Sequence, residues 1–149
     1  MKYCHTIISD HVFRGRTSGK ANDIARIIYG AKFFNNSVSL RTLIRIAAND
    51  ISPRGLDAIV PVNTRDSHFN IPARIAKGVA EKLNIKYIDA IYEQNAKARN
   101  SISGLNIIVL DDVIYTGATM QRAVNACKKA GAKSVRYFAI AHSKRFKNE

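Results

Sequence analysis

The stretch IIVLDDVIYTGAT, residues 107–119, sets four apolar residues before two adjacent aspartates and then a turn of small and hydroxyl-bearing residues. Ile107 to Leu110 has the β-branched, apolar character of a buried strand. Thr119 to Ala130 follows as a helix, with Met120, Ala123, Val124 and Cys127 on one face and Gly131 as its stop. A strand that feeds a helix through a short turn delivers the residues between them to the carboxyl edge of a sheet, where open α/β sheets bind ligands. Asp111 and Asp112 therefore arrive at a binding edge. The helix N-terminus directs its free N–H groups at the same place.

Working outward, the same unit recurs. Asp57 to Val62 (DAIVPV) reads as a buried strand with Pro61 near its end, and Pro72 opens a helix whose apolar stripe is Ile75, Ala76, Val79, Ala80 and Leu83. Lys86 to Ile91, Asn106 to Asp111 and Ser134 to Ala141 complete the strands. Upstream, Asn22 to Tyr29 and Val38 to Ala48 carry helical stripes made of Ile24, Ile27 and Ile28, and of Leu40, Leu43, Ile44 and Ala47. Alternation of strand and helix predicts an α/β fold, a three-layer sandwich around a mainly parallel sheet of four or five strands. The first fifty-odd residues read as a layer added to that core.

The chain has 149 residues with 46% apolar content, which matches one globular domain able to bury about 70% of its unfolded surface. Neither an apolar run of 18 residues nor a charged-then-apolar leader is present, so the expected location is cytoplasmic and no membrane is expected as partner. Cys4 and Cys127 stand far apart without a CxxC pattern, which argues against zinc or a disulfide framework and for small core residues. A formal net charge of +13, from 24 Lys and Arg against 11 Asp and Glu, favours polyanionic partners, either nucleic acid or a phosphorylated small molecule.

One phosphate-loop candidate fails. GRTSGK, residues 15–20, is one residue shorter than the GxxxxGK[ST] loop. It has Ala21 in place of the magnesium-binding hydroxyl, and no apolar strand leads into Gly15. A basic loop is the better reading there.

The turn after the aspartates has what a phosphate dianion needs: helix N–H groups, the Thr116 and Thr119 hydroxyls, and Gly117, which permits close approach of the backbone. Carboxylates cannot bind that phosphate, but two of them are good acceptors for paired hydroxyls. The constellation fits a sugar with a phosphate at one end and a vicinal diol at the other, which describes a ribose 5-phosphate. A helix cap would use one such side chain and would explain neither the second acid nor the TGAT turn.

This stretch closely resembles the signature of the type I phosphoribosyltransferases, which bind 5-phosphoribosyl 1-pyrophosphate (PRPP); all thirteen positions are compatible with it. The resemblance implies that Asp111 and Asp112 bind the ribose 2- and 3-hydroxyls and that Tyr115, Thr116, Gly117, Ala118 and Thr119 bind the 5-phosphate. It extends with less specificity over residues 55–142. DAIVPVNTR, residues 57–65, resembles the family's first core strand and pyrophosphate loop, which makes Asn63, Thr64 and Arg65 the implied pyrophosphate contacts. YEQNAKARNSISG, residues 92–104, lies where the family carries a mobile lid, and there Lys97 and Arg99 are placed to neutralise departing pyrophosphate. The expected organisation is a single domain, with residues 1–54 as a small N-terminal helical hood and 55–142 as the PRPP-binding core.

The combination of DAIVPV, QNAKARN and DDVIYTGAT is most similar to the ComF branch of competence-associated proteins, without the cysteine-rich zinc module that many of them carry. Tyr115 stands where relatives that use hypoxanthine or guanine have an aspartate. A Tyr before TG is similar to the pyrimidine-operon attenuator proteins, which usually have Arg where this chain has Ala118. Fold-level likeness does not identify the acceptor.

The implied activity is transfer of ribose 5-phosphate from PRPP to a nitrogen acceptor, a nucleobase by expectation. Magnesium is the cofactor, held mainly by PRPP oxygens with no direct protein ligand. Asp111, Asp112, Lys97 and Arg99 are the expected catalytic residues. Expected partners are PRPP, an unidentified acceptor, weakly bound nucleic acid and a second copy of the chain. The rival reading is a non-catalytic, ComF-like or regulatory protein that senses PRPP or binds nucleic acid. No RNP motif or aromatic series supports it, and HSKRFKN at 142–148 reads as a solvated tail.

Overall fold

Strand follows helix along the chain as β1 (Thr6–Phe13), α1 (Asp23–Phe34), α2 (Ser37–Asp50), β2 (Ala58–Pro61), α3 (Ile71–Leu83), β3 (Lys86–Tyr87), β4 (Asn106–Ile114), α4 (Ala118–Lys129) and β5 (Ser134–Ser143). The structure is a computed structural model that describes residues 6–13, 23–62, 70–89 and 102–143. Its sheet has the order β1-β5-β4-β2-β3, and every neighbouring pair is parallel.

Residue alternation along the central strands builds two cores, as the two-residue period of a strand requires. Ile59, Ile108, Leu110, Phe138 and Ile140 face α1, α2 and α3, whose Ile24, Ile28, Leu43, Ala47, Ile75 and Val79 share one apolar cluster with them. Ala58, Val60, Ile107, Val109, Tyr137 and Ala139 face the other way, against Met120, Ala123, Val124 and Cys127 of α4. The expected three-layer α/β sandwich is thus present. Helices α2 and α3 meet so closely that a Cβ on Gly78 would overlap the Ile44 side chain.

Three sequence expectations change in detail. Strand β1 was not foreseen, because the polar run Ser9-Asp10-His11 breaks the alternation of TIISDHVF; the pairing with β5 slips between Ile8 and His11 at the same place. β4 runs three residues past the expected end, since Val113 and Ile114 stay paired with Ala141 and His142 of β5. The aspartates therefore lie inside the strand. Finally, α1 and α2, expected as an added layer, pack into the same cluster as α3 and the sheet.

Pro61 is tolerated for a local reason: among the described residues β3 pairs with β2 only at Ala58 and Ile59, so Pro61 lies beyond the paired stretch on that side. The segments expected at Ile91 of β3, at Cys4 and at the GRTSGK loop lie outside the described residues.

At the amino ends of the strands, Asp57 accepts from the Asn106 N–H at 2.8 Å, and Ser134 donates to the Asn106 side-chain carbonyl at 2.7 Å. These bonds tie β2, β4 and β5 together at the edge opposite the aspartates. At the carboxyl edge the connections diverge. β2 leads into α3 on one face and β4 into α4 on the other, so the strand order reverses between β2 and β4. A crevice at such a reversal is where open parallel sheets take ligands.

Candidate functional site

Beyond the carboxyl end of β4 lies a pocket of about 160 Å³, lined among others by Asp111, Asp112, Tyr115, Thr116, Gly117 and Thr119. Six of the seven site residues expected in this stretch thus line one cavity, and the seventh, Ala118, opens α4 beside it. Asn63, Thr64, Arg65, Lys97 and Arg99 lie outside the described residues.

Both carboxylates are buried, with Asp111 8% and Asp112 5% exposed. Adjacent strand residues ordinarily point to opposite faces. Here each carboxylate bends back to its own backbone: Asp111 Oδ1 accepts the Asp112 N–H at 2.8 Å, and Asp112 Oδ1 accepts the Val113 N–H at 2.7 Å. Among the described residues Asp112 Oδ2 is buried with no hydrogen-bond partner, and the Lys32 ammonium of α1 stands 3.5 Å from it.

The electrostatics follow from this crowding. Burial holds the Asp111 carboxyl well above the usual carboxylate range, and the Asp112 charge adds to the effect, while the Asp112 N–H and the Lys32 charge oppose it. The Tyr115 phenol is raised as well, first by burial and then by Asp112, Tyr29 and Asp111. A phenol pushed upward stays protonated and keeps its donor.

The turn is set by Gly117, whose φ of +89° belongs to the left-handed region that glycine adopts without a Cβ penalty. Gly117 is also the N-cap of α4, and it brings no side chain of its own to cap the helix. The first helical bond runs from the Gln121 N–H to the Gly117 carbonyl at 2.8 Å, so the N–H groups that precede it have no partner within the helix. The Thr116 hydroxyl accepts the Ala118 N–H at 3.3 Å, and the Arg122 guanidinium reaches the Thr119 hydroxyl at 3.5 Å. From β5, the Ser143 hydroxyl donates to the Tyr115 carbonyl at 2.8 Å. The arrangement offers carboxylate acceptors and a helix N-terminus with hydroxyls around one pocket.

Sequence reasoning missed Lys32, Pro72 and Ser143. Pro72 was read only as a helix starter. Lys32 lies beyond the helix expected at 22–29; the signal was Ala31, which continues the Ile24 and Ile28 stripe at helical spacing and carries the helix on to Phe34. Ser143 had no signal, because its role depends on β5 running past Ala141. Cys127, expected in the core, is buried there, and burial pushes its thiol up to about 12. No helix among the described residues is long and apolar enough to cross a membrane.

Comparison with known proteins gives a consistent picture. Residues 70–148 match the family described as the phosphoribosyl transferase domain. Ribose-phosphate pyrophosphokinases of Pyrococcus furiosus and Thermococcus kodakarensis are each 32% identical to it over 74 residues, which cover 45% of this chain and 26% of theirs. The chain thus spans about a quarter of the length of these curated relatives. Among solved structures, the APRTase of Giardia lamblia complexed with 9-deazaadenine superposes with a TM-score of 0.55 at 14% identity, covering 87% of this chain and 91% of that one. Another adenine phosphoribosyltransferase superposes at 0.52 and 18% identity, with 74% of each chain covered. At such identities the likeness is one of fold.

Proposed function

Because the chain belongs to the phosphoribosyl transferase domain family, we propose that its pocket binds PRPP and that the protein transfers ribose 5-phosphate to a nitrogen acceptor, a nucleobase being the class we favour. One observation supports this reading most: two buried carboxylates and the glycine turn at the N-terminus of α4 line the same cavity. The carboxylates suit the diol of a ribose, and the N–H groups and hydroxyls of the turn suit its 5-phosphate.

In the proposed reaction the bond between C1 and the pyrophosphate oxygen breaks, with its electron pair leaving on pyrophosphate. Positive charge develops on the ribose ring, the lone pair of the acceptor nitrogen forms the new bond to C1, and that nitrogen then loses its proton. Asp111 and Asp112 orient the ring through its hydroxyls and stabilise the positive charge as it grows. Thr116, Thr119 and the α4 N-terminus fix the 5-phosphate, so the ring cannot slide along the pocket. Asn63, Thr64 and Arg65 are proposed for the pyrophosphate, with Lys97 and Arg99 neutralising it as it departs.

The acidic pair, with an unpartnered buried oxygen on Asp112, also suits a diol that carries magnesium. Among the described residues no group of three His, Cys, Asp or Glu side chains stands together as a cage, and the ion is read as held mainly by PRPP oxygens. When bound, it supplies charge neutralisation to the diol and the pyrophosphate. The ComF-like branch and a cytoplasmic location remain part of this proposal.

Calorimetry with PRPP and magnesium tests it. Binding at micromolar to sub-millimolar PRPP is expected, and no heat of binding at millimolar PRPP removes the basis of the reading.

A further inference from the structure

Among the described residues that line the pocket, Lys32 is the cation, and it comes from α1, outside the residues that match the family. Its ammonium lies 3.5 Å from Asp112 Oδ2, a buried oxygen that has no hydrogen bond among the described residues. Other charges near this region are engaged elsewhere. Arg74 of α3, the helix that also supplies Pro72, donates to Asn35 at 2.6 Å, and Arg122 of α4 turns to Thr119. Among the described residues, the groups beside the pair are Lys32 from α1 and the Tyr115 phenol, which interacts with both aspartates and with Tyr29 of α1 behind it.

We propose that Lys32 is a positioning residue of the transfer site, the charge partner that holds the buried Asp112 Oδ2 where it can accept a hydroxyl of the bound ribose. The role rests on the PRPP reading above. Two adjacent buried carboxylates repel each other, and an ammonium beside one of them offsets that repulsion. At 3.5 Å the Lys32 ammonium does so without a hydrogen bond to Asp112 Oδ2. It also cancels one of two negative charges in a pocket that must admit a polyanion. On this account the N-terminal helices do more than cover a sheet face: they supply the cation that lines the pocket among the described residues.

A purely structural tie between α1 and β4 would predict only a loss of stability when Lys32 is replaced. The two roles separate in Lys32→Met and Lys32→Arg, compared with wild type by affinity for PRPP with magnesium, for ribose 5-phosphate and for free pyrophosphate. Lys32→Met should bind PRPP and ribose 5-phosphate about tenfold or more weakly at neutral pH, with a much smaller loss for free pyrophosphate, and Lys32→Arg should restore both. Should Lys32→Met fail to fold, Lys32→Gln keeps a donor without the charge and gives the same comparison. If wild type binds PRPP and the neutral variant shows the same affinities, the proposal is overturned and Lys32 is only a tie, whatever its melting temperature. If wild type binds no PRPP, the transferase reading falls and takes this role with it.

Discussion

The Ser143 hydroxyl donates to the Tyr115 carbonyl at 2.8 Å, so the last residue of β5 holds the first residue of the turn that leads into α4. The turn is thereby anchored to the sheet from outside its own sequence. Ser143→Ala removes that bond and leaves the pocket lining intact. A neutral hydrogen bond contributes about 0.5–1.5 kcal/mol, so PRPP and ribose 5-phosphate should lose affinity by a few-fold to about tenfold, equally for both. Affinity for free pyrophosphate should not change. A parallel loss for pyrophosphate would mean that the substitution disturbs the whole edge of the sheet.

Removing either carboxylate should act on the sugar end. Asp111→Ala and Asp112→Ala each leave a ribose hydroxyl without its charged acceptor, at a cost of about 1.5–3 kcal/mol, or roughly one to two decades in PRPP affinity. Calorimetry reads this directly. Wild-type affinity in both variants would show that the pair does not touch the diol.

Asp111 also sets a pH dependence of folding. Its folded carboxyl titrates above the ordinary value, chiefly because burial disfavours the charged form. The native state therefore binds more protons than the unfolded chain between the ordinary value and the raised one, and stability falls as pH rises through that window. The destabilisation is complete above the raised value. Asp111→Asn keeps the shape and an acceptor for the Asp112 N–H, so it should melt higher than wild type at neutral pH. A gain of about 1 kcal/mol corresponds to roughly 2–4 °C, and the difference should vanish in acid. Asp112→Asn should show no such gain, because it strands the Lys32 ammonium. A lower melting point for Asp111→Asn at neutral pH would contradict the assignment.

The sequence displayed the site more clearly than its surroundings. The carboxylates, the glycine and the threonines lie in one run, and strand period, turn chemistry and helix period all agree there, so local rules suffice. Lys32 reaches the pocket from α1 and Ser143 reaches the turn beside it from β5, both through packing, and no local rule connects residue 32 to residue 112. β1 was hidden for a different reason: a bulge with three polar residues interrupts the alternation by which a strand is recognised. The exit of β4 was misjudged because two acids look like the end of a buried strand, whereas here each satisfies an N–H of the chain itself and the ladder continues.

The formal net charge of +13 invites a test against nucleic acid. Single-stranded oligonucleotides should bind weakly, with an affinity that falls away as salt approaches 0.15 M, as expected for counterion release alone. A sub-micromolar, sequence-selective complex at about that ionic strength, competing with PRPP, would favour a binding protein over a transferase.

The phosphate turn permits the sharpest separation of binding from folding. Gly117, not Thr119, is the N-cap of α4, so Thr119 is free of the capping role that would confuse its mutation. Among the described residues its hydroxyl meets only Arg122, at a long 3.5 Å. Thr119→Val should therefore leave the melting temperature nearly unchanged. Thr116→Val removes the acceptor of the Ala118 N–H and should cost about 0.5–1 kcal/mol of stability. In each variant one of the proposed phosphate hydrogen bonds is removed, and PRPP affinity should fall about tenfold or more, since bonds to charged groups contribute about 1.5–3 kcal/mol. Ribose 5-phosphate should weaken in parallel and pyrophosphate should not. Gly117→Val is the harsher control: at φ +89° a β-branched residue is strained, so stability and binding should fall together. If both threonine variants bind PRPP like wild type, the TGAT turn serves only to start a helix, and the paired aspartates must answer to some other ligand.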